Sequence, residues 1–207
     1  MRYEEGFGTA TATEKREAVT AKRKLFVLND ESPEDPHEWA GQWLLKQFNS
    51  RKYHYADVND MSYVDDDGML RWNEDIAAKM RVGLAFEVSY FEHGQCRWGV
   101  KGMLAGMPDA MWDGVAVAGV LVWGHNENDM GAKTVEDRKK EAEQFLETYT
   151  AWCNGDVYGY RIEDGDGEML DSCYGYYGYA DMEVQVAALR DEYPNLEAGD
   201  RDAKSWL

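Results

Sequence analysis

Acidic side chains crowd a glycine-rich stretch in the last quarter of the chain: Asp164, Asp166, Glu168 and Asp171. Hard cations take several oxygen ligands, and turns of this kind can supply them. The pattern differs from the twelve-residue calcium loop, because its third acidic position and its final Glu are misplaced. We therefore interpret the stretch as a solvated hairpin tip, and the sequence predicts no metal ion and no other cofactor. A metal-dependent hydrolase that uses Asp164, Asp166 and Asp171 remains the enzymatic alternative.

A second acidic turn has the sequence Asp65-Asp66-Asp67-Gly68. Its glycine can adopt the positive φ that such turns require, so we interpret it in the same way. Turns lie at the surface, and their carboxylates are therefore available to another molecule. The candidate partner-binding residues are Asp65, Asp66, Asp67, Asp164, Asp166 and Glu168.

Zinc ligands and nucleophiles are present as residue types but not as complete motifs. His93 and Cys96 stand three residues apart and His125 follows later, whereas a structural zinc site usually takes two close pairs of ligands. Each cysteine could supply a thiolate, but the sequence contains no G-x-S-x-G elbow and no glycine-rich phosphate loop. We interpret Cys153 and Cys173 as small core residues. No catalytic residue is predicted, and an enzyme is the less favoured alternative.

Tyrosines are interleaved with glycines over residues 174–179. Aromatic side chains can stack on bases, but base-stacking surfaces are normally surrounded by Lys and Arg, which this stretch lacks. We interpret the run as core packing with a protein-binding rim, since Tyr and Trp are favoured at interfaces. A regulatory module that binds proteins through a Tyr/Trp surface is therefore a further alternative.

The charge of the chain is its most unusual property. Forty acidic and 22 basic residues give the 207-residue chain a net charge of −18. Residues 154–207 carry −9 and residues 54–133 carry −7, whereas residues 1–53 are balanced. Such a field repels nucleic acid and anionic membranes and attracts basic proteins. We expect a basic nucleic-acid-binding protein as partner, no direct contact with nucleic acid and no membrane. The alternative is an acidic surface that serves solubility only.

Composition sets the broad class of the protein. A hydrophobic fraction of 44% and an aromatic fraction of 13% indicate a folded core rather than global disorder. Three widely separated cysteines argue against a secreted disulfide framework, and we find no basic-then-apolar signal peptide. The longest apolar run, residues 114–124, is too short to span a bilayer. We expect a cytoplasmic protein of unknown oligomeric state.

The periodicity of apolar residues predicts an α+β fold, with a mixed or antiparallel sheet and helices packed mainly on one face. A helix of about four turns is predicted to begin at Asp35-Pro36 and to include Trp39, Trp43, Leu44 and Phe48. Other helices are predicted at 73–81, 134–154 and 179–193, and strands at 24–28, 84–91, 115–123, 155–162 and 169–174. We expect a flexible arm over residues 1–23, one domain over 24–196 and a polar, frayed tail over 197–207 in which Trp206 could dock.

Two stretches resemble a group of small proteins from bacteriophages and mobile elements. Residues 154–159, Asn-Gly-Asp-Val-Tyr-Gly, are similar to a helix end in those proteins, and residues 171–175 to the Asp-Ser-Cys-Trp-Gly that closes their hairpin. Residues 35–39 and 112–115 resemble two further segments, and Tyr174 stands where a Trp is usual. The resemblance implies a phage or mobile-element origin, and hence the cytoplasm of a host bacterium.

This origin implies a function by analogy, because small acidic proteins from such sources resemble inhibitors of host defence. The expectation is an acidic interaction protein that inhibits a nucleic-acid-binding defence protein, of the anti-CRISPR or anti-restriction type. Its mode of action would be DNA mimicry, in which carboxylates lie where phosphates would otherwise bind.

Overall fold

The computed structural model describes residues 22–40, 43–48, 61–200 and 202–207. Within those ranges the chain forms ten β-strands, six α-helices and one short 3₁₀ turn, which confirms the α+β class. The predicted arm over residues 1–23 lies outside the described residues except for its last two. None of the described helices combines the length and the apolar character that a membrane crossing requires.

The elements are numbered in chain order. The strands are β1 (Arg23–Asn29), β2 (Trp43–Gln47), β3 (Ser62–Val64), β4 (Leu70–Trp72), β5 (Ala85–His93), β6 (Gln95–Val100), β7 (Gly114–Trp123), β8 (Val157–Glu163), β9 (Met169–Tyr177) and β10 (Leu196–Ala198). The helices are α1 (Pro36–Ala40), α2 (Glu74–Arg81), α3 (Ala110–Asp113), α4 (Val135–Asn154), α5 (Tyr179–Glu192) and α6 (Ala203–Trp206).

The chain divides into two compact units. Unit one combines the described residues of 1–31 with those of 157–207, and unit two contains the described residues of 32–156. Compactness does not decide whether the two units fold independently of one another. One domain over residues 24–196 therefore stays a prediction.

Unit one contains a mixed four-stranded sheet in the order β10-β1-β8-β9. The pairing of β1 with β10 is parallel, and the other two pairings are antiparallel. Helix α5 buries Met182, Val186 and Leu189 against the apolar side chains of β1 and β8, and these residues form the core of the unit.

The C-terminal segment is part of this unit. Strand β10 pairs with β1, and the ring of Trp206 stacks on that of Tyr179 with centroids 4.1 Å apart. Ala203, which lies between β10 and Trp206 along the chain, is fully buried. In place of the frayed tail expected from the sequence, the structure holds β10 by backbone pairing and α6 by aromatic contact, and Trp206, which the sequence left able to dock, packs against Tyr179.

Unit two contains an antiparallel four-stranded sheet in the order β2-β7-β5-β6 and a separate β3–β4 hairpin. Helix α4 contributes Ala142, Phe145, Leu146 and Tyr149 to the core on one face of the sheet. Ile76 of α2 packs with the residues that point to the other face: Ala85, Val120 and Val122. The predicted buried central strand is confirmed as β7, which lies between β2 and β5.

The predicted four-turn helix after Asp35 is wrong. Its start is correct, because Asp35 Oδ1 accepts a hydrogen bond from the His37 amide at 2.9 Å, but α1 ends at Ala40. The next segment is β2, in which Trp43 and Leu45 are buried while Leu44 is exposed. That alternation of buried and exposed residues has the two-residue period of a strand. Backbone pairing with β7 stabilises the strand over the predicted helix.

Helices α2 and α4 begin at the predicted caps. Asn73 accepts from the Ile76 amide at 3.0 Å at the start of α2, and Thr134 accepts from the Asp137 amide at 3.1 Å at the start of α4. Gly155 ends α4 with a φ of 74°, a conformation that costs glycine little.

Candidate functional site

The acidic tip of the β8–β9 hairpin is organised by one of its own carboxylates. Asp164 Oδ1 accepts hydrogen bonds from the amides of Asp166 and Glu168, each at 2.9 Å. The Asp164 amide donates to the Glu168 carbonyl at 2.9 Å, and Gly167 completes the turn with a φ of 86°. Asp164 is half-buried as a result. Its carboxylate stabilises the loop, as an aspartate typically does when it accepts from amides further along a turn.

The two remaining acids of this tip are exposed. Asp166 and Glu168 point into solvent, and neither forms an ion pair with any described residue. The only ion pair described in this hairpin joins Arg161 to Glu163, with Nε and Oε1 2.9 Å apart. Among the described residues the tip therefore presents two negative charges without an ion-pair partner, on a loop whose backbone is held by Asp164.

The β3–β4 turn repeats this design in unit two. Asp65 Oδ1 accepts from the amides of Asp67 at 3.1 Å and Met69 at 2.8 Å, and the Asp65 amide donates to the Met69 carbonyl at 2.9 Å. Gly68 has a φ of 77°. Asp66 and Asp67 are exposed and form no ion pair within the described ranges.

Asp65 has one more partner than Asp164 has among the described residues. Arg71 Nε lies 2.7 Å from Asp65 Oδ2, and this hydrogen bond, with that from the Met69 amide, holds the pKa of Asp65 below its usual range. The charge of Asp65 is therefore compensated within the hairpin. Sequence reasoning assigned all six carboxylates one role, whereas the structure assigns Asp65 and Asp164 to loop architecture and leaves four side chains exposed: Asp66, Asp67, Asp166 and Glu168.

The two turns lie in different units, and each is a separate candidate site. Both turns have the five-residue pattern Asp-x-Asp-Gly-x. Its first aspartate accepts hydrogen bonds from the amides of the third and fifth residues, so this pattern could have separated the loop-forming aspartate from the exposed acids. That the six residues bind a partner stays a prediction.

Asp171 does not join the acids of the tip. Its Oδ2 accepts a hydrogen bond from the Tyr160 hydroxyl at 2.8 Å across β8 and β9. Burial, and then this carboxylate, raise the pKa of Tyr160. Among the described residues no group of three or more His, Cys, Asp or Glu is placed to hold a metal ion. The hydrolase alternative therefore gains no support from the geometry.

The three cysteines lie in different environments. Cys96 is buried on β6, and Cys153, near the end of α4, is partly buried against the same core. Contact with the Cys96 thiol, together with burial, raises the pKa of Cys153, so it is a poor nucleophile. The interpretation of Cys173 as a core residue is wrong, because it lies exposed on β9, a strand at the sheet edge.

Comparison with known proteins identifies no relative. No family model, curated protein or solved structure matches the chain. The geometry and charge of the described residues are therefore what indicate a function, and the resemblance to phage proteins stays a prediction.

One exposed surface was missed by sequence reasoning. Met111 and Trp112, adjacent on the short helix α3, are 84% and 76% exposed. Asp113 follows them and pairs with His93, whose Nδ1 lies 2.8 Å from Asp113 Oδ2. Large apolar side chains at such exposure are typical of protein-binding surfaces. The sequence did contain a sign of this surface: Met and Trp stand next to each other in a turn-rich segment whose apolar residues follow neither a helical nor a strand period.

Proposed function

We propose that this chain is an acidic interaction protein that binds the basic, nucleic-acid-binding surface of another protein. By occupying that surface it keeps nucleic acid away from its partner. The narrower form of the proposal is inhibition of a host defence protein of the CRISPR or restriction type in the cytoplasm of a bacterium, with carboxylates in place of phosphates. It comes from the resemblance to proteins of phages and mobile elements.

The observation that carries the proposal is the pair of exposed acids on each of two turns, with the loop backbone held by a third aspartate. Asp166 and Glu168 in one turn, and Asp66 and Asp67 in the other, have no ion-pair partner among the described residues. Uncompensated carboxylates exert their full field on a basic partner. A preorganised loop also loses little conformational entropy on binding.

The experiment combines capture with competition. The purified protein is used as bait in a bacterial lysate, and captured proteins are then tested for DNA binding with and without it. We expect captured proteins to be basic, to be released as salt rises and to lose DNA binding when the acidic protein is added. If no nucleic-acid-binding protein is retained at low salt, the proposal is wrong.

A charge-matched pair of variants separates the turns from net charge. The test variant reverses the four exposed turn acids to Lys: Asp66, Asp67, Asp166 and Glu168. The control reverses four other exposed acids: Glu136, Glu147, Glu183 and Asp191. Both variants change the net charge equally, so only the test variant should stop competing with DNA. Equal loss in both would mean that overall charge, and not the turns, attracts the partner.

A second candidate function is a protein-binding module that uses an aromatic surface, and the exposure of Met111 and Trp112 favours it. Binding of this kind depends on buried apolar area and tolerates salt. The double variant Met111→Ala, Trp112→Ala should then abolish capture at high salt. Capture that survives this change and disappears with salt belongs to the acidic turns instead.

A further inference from the structure

We propose that β9 is a docking edge at which an extended, basic segment of the partner pairs as an additional strand. The basic character of that segment rests on the proposed function. The edge itself follows from the sheet of unit one, in which β9 comes last in the order β10-β1-β8-β9. Within the described residues β9 pairs with β8 alone, and it is nine residues long. A strand at a sheet edge offers unpaired N–H and C=O groups to another chain.

Two hydrogen bonds show which groups of β8 point toward β9. The Asp164 amide donates to Glu168 on the β9 side, whereas the Val157 carbonyl accepts from Asp30 on the β1 side. Backbone groups alternate along a strand, so even-numbered residues of β8 face β9 and odd-numbered residues face β1.

The same alternation identifies the outward groups of β9. Tyr160 of β8 is the register partner of Cys173, so Cys173 directs its backbone groups inward. Ser172 and Tyr174, its neighbours, direct theirs away from the sheet. Register shifts interrupt the pairing on both sides, so the regular part of the edge is short and runs from Asp171 to Tyr174.

The edge of the sheet in unit two shows how this chain closes an edge strand. On β6, the Cys96 amide donates to Asn154 Oδ1 at 2.9 Å, and the Cys96 carbonyl accepts from Asn154 Nδ2 at 2.9 Å. The Trp98 amide donates to Thr150 Oγ1 at 3.0 Å. Side chains of α4 therefore occupy the groups that another strand would need. No described side chain does this for the backbone of Ser172.

The side chains around β9 indicate the chemistry of its occupant. The exposed acids Asp166 and Glu168 immediately precede the strand, and Leu170 and Tyr174 on it are 46% and 49% exposed. A matching segment is extended, carries Lys or Arg next to the hairpin tip and places apolar residues along the strand. A second copy of this chain fits poorly, because residues 154–207 carry a net charge of −9 and would repel one another.

The direct test measures backbone amide exchange by NMR in the full-length protein. The probe is an eight-residue peptide that alternates Lys and Val, and its control alternates Glu and Val. We expect the Lys peptide to slow hydrogen exchange of the Ser172 and Tyr174 amides, more strongly as the fraction of peptide-bound protein rises. The Glu peptide should leave exchange at these amides unchanged. Unchanged exchange at these two amides, with or without binding elsewhere, would overturn the proposal.

Two substitutions at Ser172 extend the test to the captured partner. Ser172→Pro removes an outward N–H and leaves the bonds to β8 in place, whereas Ser172→Thr keeps the N–H. We expect at least a tenfold loss of partner affinity for Ser172→Pro and little change for Ser172→Thr. If Ser172→Pro proves unfolded by circular dichroism, the amide exchange of the wild-type protein decides.

The outcomes separate this proposal from the proposed function. One outcome keeps the function and rejects strand addition. In it, reversal of the turn acids abolishes partner binding, Ser172→Pro still binds the partner, and the Lys peptide does not protect the β9 amides of the wild-type protein. If reversal of the acids has no effect on partner binding, the proposed function fails. If the Glu peptide protects the β9 amides as well as the Lys peptide does, the edge does not select basic segments and that part of the proposal is wrong.

Discussion

The ring of Tyr174 lies on Gly159, its register partner in the neighbouring strand. A Cβ atom at Gly159 would overlap Cδ1 of that ring. An aromatic side chain that covers a glycine of the next strand compensates for the missing side chain. The Tyr-Gly run therefore has a structural role at this position.

Gly159→Ala should destabilise the protein because the new methyl group has no space beneath Tyr174. We expect the free energy of unfolding to fall by about 1–3 kcal/mol, as for other overpacked sites. Gly165→Ala is the matched control in the same hairpin, since a Cβ there meets no atom within 4 Å. Urea denaturation measures both variants, and equal stability of the two would contradict the contact.

Asp164→Ala should loosen the β8–β9 tip, because two amides lose their acceptor. We expect a loss of about 1 kcal/mol in the free energy of unfolding. Asp166→Ala, which removes an exposed carboxylate from the same loop, should change it by less than about 0.5 kcal/mol. Equal effects in thermal denaturation would mean that Asp164 does not hold the loop.

Arg138 should be essential to the stability of unit two. Its side chain is buried on α4 and donates to the Val82 carbonyl at 2.7 Å, to Glu127 Oε1 at 2.9 Å and to the Ala132 carbonyl at 3.3 Å. Arg138→Met leaves these acceptors without their donor, so we expect a loss of about 2–4 kcal/mol.

Lys140→Met is the control for Arg138, because it removes a cation from the same helix. Lys140 is exposed and lies 3.8 Å from Asp137 Oδ1, a surface ion pair that contributes about 0–1 kcal/mol. Chemical denaturation of both variants gives the comparison. A stable Arg138→Met variant would show that the buried hydrogen bonds are replaced by other donors.

His93, which pairs with Asp113, should titrate above the usual histidine pKa. The hydrogen bond and charge of Asp113 raise the pKa of His93 in the folded protein above the unfolded value of about 6.5. The contribution of the pair to stability is therefore complete below that value and is lost as pH rises through the raised pKa.

An NMR titration of the His93 imidazole tests this directly. Asp113→Asn should lower the midpoint, and Asp75→Asn, which changes an acid on α2, should leave it where it is. A midpoint that is the same in all three proteins would rule out the ion pair in solution.

Local sequence patterns predicted much of the secondary structure for a physical reason. The caps at Asn73 and Thr134 and the turn glycines Gly68 and Gly155 act on groups within a few residues, so their effect is readable along the chain. The same locality explains why the two acidic turns were placed correctly.

The division of labour within each acidic turn was not predicted. Asp65 and Asp66 are neighbours of the same type, yet one accepts two amides and pairs with Arg71 while the other is exposed. Composition treats both as negative charge. Geometry separates them, because the hairpin directs one carboxylate toward the loop backbone and the other toward solvent.

Acid excess, helix caps and turn positions are properties of short stretches, and the order of residues alone specifies them. Segment 43–48 is different, since its apolar spacing suits a helix as well as a strand, and pairing of Trp43 with Trp123 selects the strand. The edge position of β9, the closed edge of β6 and the burial of Arg138 likewise depend on partners far away in the sequence. Such contacts arise when distant segments pack together, and no local pattern of residue types contains them.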